Sequence, residues 1–198
     1  MNILSHLYLA GDDEGLMVGN FIADAVKGKK HEEYSAPIAR GIRMHRFIDS
    51  YTDRHPAVLT CKTWLYKEHG KCAGIITDLF FDYLLASKWH AADAKGFRKY
   101  THHAYAVLMR HYLHMPEQMR RMLPYMIKGD WLYRYRNTEG IRRSLEGLEK
   151  RTSFPWPMAT SVDHLLENEK AWHKQYELFF QALKNDLVNG GFPHILSI

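Results

Sequence analysis

Apolar residues recur along this chain every three or four positions, and no sustained period-two alternation bounded by hairpin turns breaks the pattern. That periodicity predicts helix almost throughout. A first helix covers about Asp12 to Val26 and stops near Gly28. Ser35 can cap a second, with Pro37 tolerated in its first turn, and this helix runs to about Thr52. The Asp53-Arg-His-Pro56 corner then turns the chain, because a residue before proline disfavours helix. A third helix reaches about His69, and a fourth spans about Ala73 to Trp89. Asp93 opens a long helix to about His114, and Pro116 restarts another that Pro124 must bend or break. Glu139 to Lys150 reads as a short helix, followed by a loop around Phe154-Pro-Trp-Pro157. A last helix runs from about Ala159 and ends near Gly190 and Gly191. With no low-complexity linker and no fixed-period repeat, residues 1–198 read as one all-α domain, a helical bundle.

Three stretches place polar residues four apart inside otherwise apolar helical faces. They are Asn20 with Asp24, His45 with Asp49 and then Asp53, and Asp78 with Asp82. A spacing of four stacks side chains one turn apart, about 6 Å along the axis. In the second helix Ile38, Ile42, His45, Asp49 and Thr52 form one face, apolar at its start and polar at its end. The fourth repeats the design through Ile75, Asp78, Asp82, Leu85 and Trp89. Asn20 and Asp24 share a face with Leu16, and His6 lies upstream in the apolar run from Ile3 to Leu9.

A carboxylate on a core-facing stripe is costly unless paired, hydrogen-bonded or bound to a cation. Each residue has a plain structural explanation. His6 can be a hydrogen-bonded core imidazole, Asp49 a partner of Arg43 or Arg46, Asp53 a turn residue, and Asp78 a carboxylate favoured by the helix dipole. Asp82 resists such an explanation, because it is mid-helix between Phe80, Phe81, Tyr83 and Leu84. Taken together, the stripes point to helices lining a shared cation site. Imidazole with several carboxylates and no thiolate suits Mn²⁺, Mg²⁺ or Fe²⁺ better than a structural zinc. Such a cation activates water and neutralises a phosphate oxygen, which is the chemistry of phosphoester hydrolysis. Other catalytic signatures (a GxSxG elbow, a P-loop, GxGxxG, HExxH) are absent, and His102-His103 and His111 with His114 lack carboxylate company.

Composition narrows the setting. At 198 residues with 46% hydrophobic and 25% charged residues, the chain can close a core without disulfide staples. Cys61 and Cys72 lack CxxC spacing and read as reduced thiols, which predicts a cytoplasmic protein. No run approaches the roughly 18 apolar residues a membrane span needs. Met1-Asn-Ile-Leu-Ser-His6 lacks the basic region and long apolar stretch of a signal peptide. A formal net charge of +5 and a pI near 9.1 favour an anionic partner. The basic residues are dispersed, with small clusters that include Arg134 with Arg136 and Arg142 with Arg143. No nucleic-acid-binding motif accompanies the charge, so nucleic acid is not the expected partner.

Read together, several segments resemble the acyl-carrier-protein phosphodiesterases, or ACP hydrolases. They are Met1-Asn2 with Leu4-Ser-His6-Leu-Tyr-Leu9, Gly19-Asn20-Phe-Ile-Ala-Asp24 with Lys27-Gly28, and Gly41-Ile42-Arg-Met-His45-Arg46-Phe-Ile48-Asp49. Thr52-Asp53-Arg-His55-Pro56, Asp78-Leu-Phe-Phe-Asp82 and Trp89 complete the set. Beyond these the likeness thins to a Trp131-Leu-Tyr-Arg134-Tyr135 patch. The resemblance implies hydrolysis of the phosphodiester joining 4′-phosphopantetheine to a serine of acyl carrier protein, with a divalent metal, typically manganese. It also implies an HD-like fold, since the family is viewed as a remote relative of the HD metal phosphohydrolases. Here the sequence departs: Arg46 follows His45, Tyr83 follows Asp82, and Asp163-His164 reverses the His-Asp order. The ligand set therefore does not transfer by rule.

The resulting assignment makes Asp24, His45, Asp49, Asp78 and Asp82 the metal ligands and their supporting shell. Arg46 stabilises charge on phosphate, and His6 or His45 protonates the leaving serine oxygen, with Asn20 and Asp53 as secondary candidates. Acyl carrier proteins are strongly acidic, in keeping with the basic charge. Met109, Met115, Met119, Met122 and Met126 lie at near-helical intervals, as core filling or as a flexible groove for an acyl or pantetheine arm. Two competing functions remain: a metal phosphohydrolase acting on nucleotides or another small phosphodiester, and a non-catalytic helical module for an acidic partner.

Overall fold

The computed structural model describes residues 1–151 and 156–192, and among these every regular element is helical. In chain order they are α1 (Ile3–Leu9), α2 (Glu14–Ile22), α3 (Ala36–Arg54), α4 (Pro56–His69), α5 (Ala73–Ala92) and α6 (Ala94–Arg110). These are followed by α7 (Glu117–Lys128), α8 (Trp131–Arg134), α9 (Thr138–Glu149), α10 (Ser161–Glu167) and α11 (Glu169–Asn189). Of the expected loop around Phe154-Pro-Trp-Pro157, Phe154 and Pro155 lie outside the described residues, and Trp156 and Pro157 are in no helix. Among the described residues no helix is long and apolar enough to cross a membrane.

The all-α expectation holds, and local chemistry explains most boundaries. Asp13 caps α2 by accepting from the Leu16 N–H at 2.9 Å, and Asp93 caps α6 through Gly96 at 2.8 Å. The expected helix from Asp12 to Val26 is shorter: α2 ends at Ile22 and tightens into a 3₁₀ turn, Ala23–Ala25, which carries Asp24. The expected helix to His114 likewise ends at Arg110, with a 3₁₀ turn before Pro116. Pro124 lies inside α7, so the chain accommodates it without ending the helix. The expected last helix divides at Asn168 into α10 and α11.

Two helices are buried nearly all round, as an apolar circumference requires. α5 buries Ile76 through Leu85 except Asp78, and α1 buries Leu4 through Leu9. Trp172 of α11 sits edge-on to Phe80 of α5, with ring centroids 5.0 Å apart. Cys61 and Cys72 are both free and buried.

α2 crosses α3 at close range, and glycine makes it possible. A β-carbon on Gly41 would lie 2.5 Å from the Leu16 carbonyl oxygen and 2.8 Å from the Gly19 Cα. One on Gly19 would lie 2.7 Å from the Gly41 Cα. Backbone therefore meets backbone. This approach brings the end of α2 against the middle of α3, and with it Asn20 and Asp24 toward His45 and Asp49.

Candidate metal centre

Asp49 is the convergence point. Its Oδ1 lies 3.1 Å from Nε2 of His6, and its Oδ2 lies 2.9 Å from Nε2 of His45, one turn earlier on α3. The two imidazoles stack, with centroids 4.0 Å apart and planes 19° from parallel. His45 Nε2 also lies 3.1 Å from Oδ1 of Asp24. The ligating atoms of His6, His45 and Asp49 all fall within 4.8 Å of one another. Three segments of chain thus meet: α1, the turn after α2, and α3.

Protonation shows why this group fits a cation. The Asn20 side-chain amide donates to the Leu16 carbonyl at 3.0 Å, which turns its oxygen toward His6. His6 Nδ1 lies 3.2 Å from that oxygen and must donate to it. Burial lowers the His6 pKa to about 4, so the ring is neutral and carries one proton, already placed on Nδ1. Its bare Nε2 then faces an anionic oxygen of Asp49. Two acceptors at 3.1 Å repel unless a positive charge lies between them. The orienting bond on the far nitrogen is the usual support of a metal-bound histidine.

The other groups are tuned by the same contacts. Burial alone would lower the His45 pKa, but the hydrogen bonds to Asp24 and Asp49 outweigh it and raise it to about 9. Asp49 is opposed by burial yet held well below the usual carboxylate range by His45 and His6. The hydrogen bond to His45 also lowers the Asp24 pKa. Among the described residues His45 Nδ1 is buried without a partner. Two imidazole nitrogens with one or two carboxylates form a donor set suited to a first-row divalent ion.

The remaining expected residues fall elsewhere. Both oxygens of Asp82 are taken by the start of α1: Oδ2 accepts from the Leu4 N–H at 2.8 Å, and Oδ1 from the Ser5 N–H at 3.0 Å and the Ser5 hydroxyl at 2.5 Å. Asp82 is thus a cap supplied from α5 to the orphan N–H groups of α1. Burial raises its pKa to about 7 against the pull of those donors. Asp78 lies 3.3 Å from the Met1 amino nitrogen, which is also 3.5 Å from Asp49. Arg46 turns away from the imidazoles and donates to the Val26 carbonyl at 2.7 Å. Asp53 is exposed and pairs with Lys62 at 2.9 Å.

A cavity of about 320 Å³ adjoins the centre, with His6, Asn20, Asp24 and His45 on one side. Met119, Met122, Trp131, Arg134 and Leu148 contribute to the facing wall. The methionine spacing and the Trp131–Tyr135 patch were the sequence signals nearest to this wall, but neither locates it.

A family model described as acyl carrier protein phosphodiesterase matches residues 1–183. An acyl carrier protein phosphodiesterase of Photorhabdus laumondii is 32% identical over 152 residues, 76% of this chain and 77% of that protein. One of Serratia proteamaculans is 30% identical over 182 residues, 91% of this chain and 93% of its own length. One of Escherichia coli is 32% identical over 152 residues, covering 76% and 79%. No solved structure matches the chain significantly.

Proposed function

This chain belongs to the acyl carrier protein phosphodiesterase family, and on that premise we propose that it hydrolyses the phosphodiester linking 4′-phosphopantetheine to acyl carrier protein, releasing the apo-carrier. The observation that carries the reading is the convergence of His6, His45 and Asp49, whose ligating atoms lie within 4.8 Å of one another beside a cavity. His6, His45 and Asp49, with Asp24 adjacent, would hold a divalent cation; Mn²⁺ is the best match, and Mg²⁺ or Fe²⁺ would suit the same donors. Bound there, the cation supplies charge neutralisation at a phosphate oxygen and makes water more acidic.

The chain's own groups supply the rest. Asn20 fixes the His6 ring and tautomer, leaving Nε2 free to bind. Asp49 holds the two stacked imidazoles in one orientation. Asp24 is the open member: its side chain is 75% exposed, it lines the cavity, and it stays ionised beside His45. In this reading Asp24 accepts a proton from the attacking water and returns it to the departing serine oxygen. Asp82 and Asp78 act one step back, by fixing α1 and the Met1 end against α5.

The net charge of +5 favours the encounter with an acidic carrier protein. Two free, buried thiols and a carrier-protein substrate support a cytoplasmic setting. Imidazoles and carboxylates drawn from separate helices of an all-α bundle support the remote kinship with HD phosphohydrolases, without their adjacent His-Asp pair.

Hydrolysis of holo-carrier in heavy-oxygen water tests the chemistry. The label is expected in the phosphate of released 4′-phosphopantetheine, with an unlabelled serine on the apo-carrier. Hydrolysis of free nucleotides with holo-carrier untouched would overturn the proposal.

A further inference from the structure

The cavity wall facing the imidazoles carries three features that the catalytic group does not use. First, Arg134 at the end of α8 lines the cavity, is exposed, and makes no ion pair with a carboxylate among the described residues. Of the other arginines that line the cavity, Arg143 pairs with Glu139 and Arg151 lies over the Trp131 ring. Arg46, expected to hold phosphate, is committed to Val26.

Second, Gly147 of α9 faces the cavity, and a β-carbon there would meet nothing within 4 Å. Its φ is not positive, so no backbone requirement explains it. Glycine inside a helix is destabilising relative to almost any other residue. Gly140, two turns earlier, differs: a β-carbon there would strike the Arg134 carbonyl. Gly140 is small for packing within the protein, whereas the space at Gly147 is left open. Third, Met119, Met122 and Trp131 give the wall thioether and aromatic surface. Such surface accommodates branched methyl groups and a thiol.

We propose that this cavity seats the phosphopantetheine arm, with its phosphate between Arg134 and the imidazole end and its body along Met119, Met122, Trp131 and Gly147. The inference deepens the proposed function and rests on it. A planar guanidinium matches phosphate oxygens in pairs. A volume of about 320 Å³ lies at the lower end of small-molecule sites, suited to a slender chain rather than a bulky base. Carrier-bound arm enters with its serine linkage next to Asp24 and His45, and the free arm is what remains in the cavity after cleavage.

Calorimetric titration of free 4′-phosphopantetheine into the Mn²⁺-supplemented protein, its Arg134→Ala variant and its Gly147→Leu variant tests this. Wild-type protein should bind the arm. Arg134→Ala should weaken binding by about tenfold or more. Gly147→Leu should abolish it while melting at or above the wild-type temperature, since leucine favours helix. Absence of binding to wild type, or unchanged affinity in either variant, overturns the proposal. Turnover of holo-carrier separates the two readings. Wild-type cleavage with an unchanged KM in Gly147→Leu removes the cavity assignment and keeps the activity. Arm binding that both variants weaken, without any cleavage, keeps the assignment and removes the activity.

Discussion

The imidazoles of His6 and His45 stack 4.0 Å apart, and both present Nε2 to the carboxylate of Asp49. Two protonated rings at that distance would repel, and the site separates them, with His6 neutral by burial and His45 charged by its carboxylates. Asp49 is the only group within hydrogen-bond reach of both rings among the described contacts. Asp49→Asn should therefore weaken Mn²⁺ binding by more than about a hundredfold, since loss of an orienting partner alone costs 10- to 100-fold. Competition against a fluorescent chelator measures this, and unchanged affinity would remove Asp49 from the centre.

Protonation gives a second prediction, for chelator-treated protein. The folded pKa of His45 is raised from 6.5 to about 9, because hydrogen bonds to Asp24 and Asp49 exceed the opposing effect of burial. A raised pKa stabilises the fold fully below the unfolded value and ceases to do so as pH rises through the folded one. The melting temperature should fall between pH 6.5 and 9, and His45→Gln should flatten that decline. Mn²⁺ must displace the same proton, so its affinity should rise over the same window. A wild-type melting temperature that climbs from 6.5 to 9 would contradict this.

The α2–α3 contact makes a third. Gly41→Ala would place a methyl group 2.5 Å from the Leu16 carbonyl oxygen, where only backbone can yield. Overpacking of this kind costs roughly 1–3 kcal/mol. It should also move His45 away from Asn20 and Asp24, so thermal stability and metal affinity should fall together. A variant with full metal affinity would show that the close approach is not needed by the centre.

Asp82 separates support from ligation. Asp82→Asn turns an amide N–H₂ toward one of the donors at the start of α1, a loss of about 1–3 kcal/mol for a buried unsatisfied group. Reduced melting temperature with metal affinity near that of wild type is expected. Wild-type stability with metal binding abolished would make Asp82 a ligand.

These cases show how far the chain was legible before folding. Helical period and caps such as Asp93 located most of the bundle, because both are local. The apolar stripe around Asp82 signals a buried carboxylate that needs a partner. That partner is the backbone of α1, 78 residues away in sequence, which no local pattern reveals. Arg46 follows His45 in sequence, yet adjacent helical residues point in different directions, and its guanidinium reaches Val26 instead. The short α1 escaped because an apolar run buried all round carries no amphipathic signature. Arg134 and Gly147 escaped because their meaning depends on a cavity assembled from both halves of the chain.

The most direct test uses intact mass. Holo-acyl carrier protein is incubated with chelator-treated enzyme, with and without added Mn²⁺. Its mass should drop by one phosphopantetheine arm only when metal is restored, and Asp49→Asn should leave it unchanged. An unaltered holo-carrier mass with every divalent metal tried, or the same loss with no metal present, would contradict the assignment.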